Sequence, residues 1–183
     1  NIFILIFFFI SIYEWHFISK NKKYKILGII FLILSFYSSY YLRNETQGDY
    51  IYFLFILFIC IFTDVGGYTF GKIFKGPKLT KISPKKTYSG VVGGYLFAIL
   101  FVTLFFNFSK NILDIASVQF LIKELSVNYF IFTIIISTIS QLGDIIVSYF
   151  KRKSKIKNTG KIIPGHGGLL DRIDGMIFAF PAT

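Results

Sequence analysis

Cysteine is nearly missing from this chain: Cys60 stands alone, inside an apolar run. One thiol can neither close an internal disulfide nor build a cysteine-rich zinc site, so arguments from redox compartment and from thiolate–metal chemistry both stop there. Acidic residues are scarce as well, nine Asp and Glu against twenty Lys and Arg, which leaves a formal charge of +11. A surplus of that size points to nucleic acid, anionic lipid or a polyphosphate substrate, and the placement of the charges decides among them. No basic segment precedes the first apolar run, Asn1 to Ile12, and no small-residue cleavage site follows it, which argues against a cleavable signal peptide. With no initiator methionine and an apolar stretch from Met176 to Thr183, both ends are expected to cut through helices.

What the chain has in abundance is apolar surface. It is 54% hydrophobic and 20% aromatic over 183 residues, with a mean hydropathy of +0.64, too apolar for an ordinary soluble domain. The 24 Phe and 12 Tyr are as well explained by AT-rich coding as by function, so the aromatic count carries no argument. Interior spans run over Ile26 to Leu42, Tyr50 to Thr63, Ser89 to Phe108 and Val127 to Ile146, each bounded by polar residues. Runs this long without alternation exclude barrel strands. The expectation is an all-α polytopic membrane bundle of about six crossings forming a single domain over 1–183, without internal repeats.

The loops between these spans hold, in order, four, one, six, two and seven of the basic residues, so seventeen of twenty fall on one side. The positive-inside tendency makes that side cytoplasmic. It carries the two longest polar segments, 64–88 and 148–175, which are expected to be the motif-bearing loops facing the cytoplasmic nucleotide pool. No nucleic-acid partner is expected. His16, beside Trp15 at a membrane edge, reads as interfacial.

Three stretches carry chemistry. The first runs Thr63-Asp64-Val65-Gly66-Gly67-Tyr68 and on through Ser83-Pro84-Lys85-Lys86-Thr87-Tyr88-Ser89-Gly90. Its glycines allow close backbone approach, and its Ser, Thr and Lys supply donors for phosphate oxygens, though a turn near anionic head groups has the same composition. The second, Ser140-Gln141-Leu142-Gly143-Asp144, sets a carboxyl group near the end of an apolar helix, where it is costly unless paired, hydrated or bound to a cation. Asp64 takes a comparable place at the end of its own span. The third is the most specific: Ser148, Lys151-Arg152, Lys157, Gly160, Pro164-Gly165-His166-Gly167-Gly168, then Asp171-Arg172-Ile173-Asp174. Basic groups able to grip a triphosphate stand beside paired aspartates able to hold Mg²⁺. For His166, donation to a phosphate, acid catalysis toward leaving pyrophosphate and a purely loop-holding hydrogen bond stay open.

In this order the three stretches resemble the phosphatidate cytidylyltransferase (CDP-diglyceride synthase) family. The third is similar to its signature of a Ser, a Lys-Arg pair, a Lys-Asp pair, Pro-x-His-Gly-Gly and Asp-Arg-x-Asp, with Asn158 where the family usually has the Asp after Lys157. The earlier stretches are similar to its Asp-x-Gly-Ala-Tyr and Ser-Pro-Lys-Lys-Thr-Trp-x-Gly blocks, with Gly67 for Ala and Tyr88 for Trp. Val147 stands where many members carry Glu. The resemblance runs from Thr63 to Pro181; the N-terminal third matches only as generic membrane helix.

The resemblance implies a usually dimeric membrane enzyme in the bacterial inner membrane, joining CTP to phosphatidate to give CDP-diacylglycerol and pyrophosphate in phospholipid biosynthesis. It implies Mg²⁺, with or without a second cation, held by Asp144, Asp171 and Asp174. The catalytic candidates are Asp144, Lys151, Arg152, His166, Asp171 and Arg172. The substrate-binding candidates are Asp64, Ser83, Lys85, Lys86, Thr87, Ser148, Lys157, Gly167 and Gly168. An archaeal-type ether-lipid cytidylyltransferase or a polyprenol kinase would differ in the lipid acceptor. The spaced-aspartate signature of CDP-alcohol phosphotransferases is absent, and a transporter or scaffold leaves the clustering of His-Gly-Gly with Asp-Arg-x-Asp unexplained.

Overall fold

The computed structural model describes residues 1–20, 22–44, 50–112, 129–160, 162 and 167–183. Five helices make up most of it: α1 (Ile2–Ile18), α2 (Lys25–Asn44), α3 (Ile51–Phe74), α4 (Tyr88–Ile112) and α5 (Tyr129–Lys153). Two single turns follow, α6 (Leu170–Ile173) and α7 (Met176–Ala179), then a 3₁₀ turn over Phe180–Ala182. Lys78 and Thr87 form an isolated antiparallel bridge. α2 to α5 are long and apolar enough to cross a membrane, and α1 is a shorter apolar helix. The all-α bundle expected from the sequence is therefore present, with the segment from Met176 folded as short turns against it.

The helix ends follow local chemistry. The Thr87 hydroxyl accepts the Gly90 amide at 3.1 Å and caps the start of α4. Lys75 takes a left-handed conformation, φ 48°, and stops α3. Lys151, Arg152 and Lys153 fill the last turn of α5, where cations suit the helix dipole.

Lipid tails are as apolar as Leu, so helices in a membrane gain little from burying apolar area and depend on close packing. α3 and α4 are the most closely packed pair, and glycines make this possible. A Cβ on Gly66 would lie 2.3 Å from the Gly93 carbonyl oxygen, and one on Gly93 would lie 2.6 Å from that of Gly66. Phe55, Ile59, Val102 and Ile136 close the core beside this contact, while Trp15, Leu32, Val147 and Leu170 form a second core toward α1 and α2. The outer faces stay apolar and exposed, as at Ile26, Leu27, Ile73 and Val92. Within the bundle the Thr63 and Ser137 hydroxyls hydrogen-bond at 2.9 Å, linking α3 to α5.

Two helix boundaries differ from the sequence expectation. The span expected to end at Thr63 continues to Phe74, so Asp64 lies inside α3 and not at its edge. Likewise α5 runs through Lys153, placing Ser148, Lys151 and Arg152 on a helix. His16, read as interfacial, is exposed, and Trp15 beside it is buried, its indole N–H donating to the Lys25 carbonyl at 3.0 Å. Helix propagation explains the two boundaries, since Gly, Tyr and Thr after Asp64 do not break a helix that already has tertiary support.

Gly66→Ala is expected to lower the melting temperature in detergent, by overpacking worth about 1–3 kcal/mol. Gly67→Ala, whose new Cβ would find its nearest neighbour at 3.5 Å, is expected to leave it unchanged.

Candidate active site

α3 and α5 finish, and α4 begins, around a cavity of about 340 Å³. Four carboxyl groups line it, Asp64 from α3, Asp144 from α5, and Asp171 and Asp174 from the α6 segment, facing the ammonium groups of Lys85, Lys86 and Lys151. Ser83 and Thr87 add hydroxyls from the turn between α3 and α4. That turn is shaped by its own backbone: the Leu79 amide donates to the Lys86 carbonyl at 2.8 Å and the Lys86 amide to the Ser83 carbonyl at 3.0 Å.

Lys86 fastens the turn to α5. Its Nζ lies 2.7 Å from Asp144 Oδ2 and donates to the Gln141 carbonyl at 2.9 Å. Asp144, Ser148 and Lys151 follow i, i+4, i+7 spacing and so share one face of α5. The buried Ser148 hydroxyl donates to Asp144 Oδ1 at 3.3 Å, and Lys151 Nζ, also buried, donates to Asp171 Oδ1 at 2.7 Å. The other Asp171 oxygen, Oδ2, accepts the Thr159 and Gly168 amides at 2.8 and 3.1 Å. Asp174 is buried, accepts the Gly175 amide, and faces Asp144 and Asp64.

These settings push the two aspartates of the α6 segment apart. Burial raises the Asp171 carboxyl, but the hydrogen bond and charge of Lys151 and the Thr159 and Gly168 amides outweigh it and hold it below the usual value. Asp174 goes the other way: burial first, then the facing Asp144, raise it well above that range.

Of the residues expected from sequence, the cavity unites Asp64, Ser83, Lys85, Lys86, Thr87, Asp144, Lys151, Asp171 and Asp174. Ser148 stands behind Asp144. Arg152 is exposed outside the cavity, its Nε 3.5 Å from the Ile82 carbonyl; Lys157 and Arg172 are exposed there too. Gly167 adopts φ 90°, a left-handed turn closed against Asp171, and Gly168 spends its amide on the same carboxyl. His166 lies outside the described residues.

Within the expected metal set, Asp144 and Asp174 face each other, while Asp171 is engaged through both oxygens. Among the described residues no three His, Cys, Asp or Glu side chains stand together as a ready ion cage. Two site neighbours were not anticipated, Glu14 and Thr159. Glu14 had a signal in the sequence, being the sole carboxyl group within the long apolar run from Ile2 to Trp15.

Fold and site together define a polytopic membrane protein with a polar cavity that interleaves carboxyl and ammonium groups. The chain belongs to the cytidylyltransferase family, whose family model matches residues 1–183. It is similar to the phosphatidate cytidylyltransferase of Rickettsia felis, 39% identical over 172 residues that cover 92% of this chain and 72% of the relative. The corresponding Rickettsia conorii protein is 41% identical over 172 residues, 90% of this chain and 70% of the relative. That of Staphylococcus aureus is 38% identical over 143 residues, 75% and 49%.

The two aspartates predict stability effects of opposite sign. A carboxyl held low stabilises the fold above its unfolded value and loses that contribution as pH falls through its folded value. Asp171→Asn, which strands Lys151, is expected to cost about 3 kcal/mol at neutral pH. That difference from wild type should shrink as pH drops below the ordinary value of 3.8. Asp174→Asn removes a carboxyl group that burial, then the facing Asp144, make unfavourable in the fold, and is expected to raise the melting temperature at neutral pH in divalent-free buffer. Thermal unfolding of both variants from pH 3 to 7 checks the pair.

Proposed function

We propose that this chain catalyses cytidylyl transfer from CTP to phosphatidate, giving CDP-diacylglycerol and pyrophosphate. The observation that carries the reading is the cavity itself: lysines and carboxyl groups interleaved in a membrane bundle, in a chain of the cytidylyltransferase family. One substrate is soluble and polyanionic and the other stays in the lipid, so a polar cavity framed by membrane helices is where both can meet.

In the reaction a phosphate oxygen of phosphatidate attacks the α-phosphorus of CTP. A new P–O bond forms, the bond between the α-phosphorus and the bridging oxygen breaks, and its electron pair leaves with pyrophosphate. Little covalent chemistry falls to the protein; positioning and charge stabilisation dominate. Lys85, Lys86 and Lys151, with the Ser83 and Thr87 hydroxyls, hold the phosphates of the two anions, which otherwise repel each other. Lys86 and Lys151 begin paired to Asp144 and Asp171, so phosphate competes for ammonium groups already aimed into the cavity. Arg152 and Lys157 lie outside the cavity and serve approach of the nucleotide.

Mg²⁺, with or without a second cation, is part of the proposal. Carboxyl oxygens are the ligands a hard cation takes, and Asp144 and Asp174, already facing each other, would hold it, with Asp64 beside them and Asp171 available once Lys151 turns to phosphate. Bound there, the cation would neutralise phosphate and leaving-group charge. Placement in the bacterial inner membrane with the cavity on the cytoplasmic side is supported by the one-sided basic loops and by bacterial relatives. A homodimer completes the reading on the strength of the family resemblance.

Labelled CTP and phosphatidate, incubated with the full-length protein in detergent and Mg²⁺, are expected to give CDP-diacylglycerol. Lys151→Met is expected to cut the rate about 100-fold or more. No product from folded wild type would sink the assignment. Product that persists in the variant would keep the function and remove Lys151 from the chemistry.

A further inference from the structure

Glu14 lies on α1, far from every motif in sequence, and is 1% exposed. Among the described residues its carboxyl group accepts three hydrogen bonds, all from the segment that carries the site aspartates. Oε1 takes the Leu169 amide at 2.9 Å; Oε2 takes the Leu170 amide at 2.8 Å and the Thr159 hydroxyl at 2.7 Å. The two amides sit at the start of α6, where a helix has no internal acceptors for them. Two glycines let the carboxyl come this close. A Cβ on Gly160 would lie 2.5 Å from Oε1, and one on Gly168 would lie 2.5 Å from Oε2.

The bonds lead on to the cavity. Thr159 gives its hydroxyl to Glu14 and its amide to Asp171 Oδ2, so the two acids grip one residue from opposite sides. Asp171 follows Leu170 directly and holds Lys151 through its other oxygen. Glu14 does not line the cavity. We propose that Glu14 is a positioning residue for the reaction: through Leu169, Leu170 and Thr159 it sets the Asp171–Asp174 turn in register with Lys151. The inference rests on the proposed transfer reaction. A carboxyl suits the task because all three partners donate. An amide offers only one acceptor oxygen and turns its NH₂ against a donor.

Such a residue acts on the geometry of the transition state more than on ground-state binding. In the full-length enzyme, Glu14→Gln is expected to lower kcat about tenfold with KM for CTP within about twofold, assayed well below its melting temperature. Thr159→Val removes the hydroxyl bridge and keeps the Asp171 amide contact, so it should lower kcat by a smaller factor. The double variant should be little worse than Glu14→Gln alone, since both act through one bond. Wild-type kcat in both single variants overturns the proposal, as does activity that falls only with the folded fraction. Should Glu14→Gln fail to fold, Thr159→Val decides by the same criterion. Amide exchange separates this idea from the assigned reaction: Glu14→Gln, or Thr159→Val in its place, should speed exchange at Leu169 and Leu170. Unchanged exchange overturns the tether, whereas wild type that makes no product overturns the reaction.

Discussion

Acidic side chains in apolar helices have to be met by something, and the architecture is organised around how each of them is met. Asp144 on α5 is met by an ammonium and a hydroxyl, Glu14 on α1 by two amides and a hydroxyl, and Asp64 on α3 by the opening of the cavity. The ammonium that meets Asp144 and all three groups that meet Glu14 come from other parts of the chain. Satisfying these acids therefore assembles the site, because the groups that neutralise them are the motif segments themselves. An unpaired charge in such a place would cost several kcal/mol, enough to make the correct association of α1, α3, α5 and the α6 segment mutually dependent.

Close helix packing supplies the frame. Gly66 and Gly93 allow α3 and α4 to touch backbone to backbone, which fixes the turn between them over α5. Lys86 can then reach both the Gln141 carbonyl and Asp144. A wider spacing between α3 and α4 would carry Lys86 away from its partners, so the small residues near Asp64 serve the site by geometry and need not touch phosphate to matter.

Much of this was legible in the chain. Long apolar runs announced the membrane helices, because runs of that length have no other stable form in lipid. The clustering of lysines, glycines and aspartates announced the cavity residues, from Ser83 to Asp174. Helix ends were harder to read: α3 continues past Asp64 because residues compatible with helix follow it, and only tertiary contact decides whether they use that freedom. The burial of Trp15 was not legible for a related reason. Its indole proton is satisfied by the Lys25 carbonyl in the next helix, a partner that no local pattern announces. Arg152, Lys157 and Arg172 matched the motif but face outward, since a motif records residue order and not side-chain direction.

The same limit bears on the N-terminal third, which reads as generic membrane helix. A helix recognised only by its apolarity offers no motif to match, yet α1 delivers a carboxyl group that binds the α6 segment from the side away from the cavity. Asp171 is held against Lys151 in front by charge, a contact that substrate phosphate is bound to disturb. Glu14 binds backbone amides and a hydroxyl, none of which phosphate competes for inside the cavity. An anchor of that kind keeps the turn in place while Lys151 exchanges one anion for another, and its separation from the cavity is what suits it to the task.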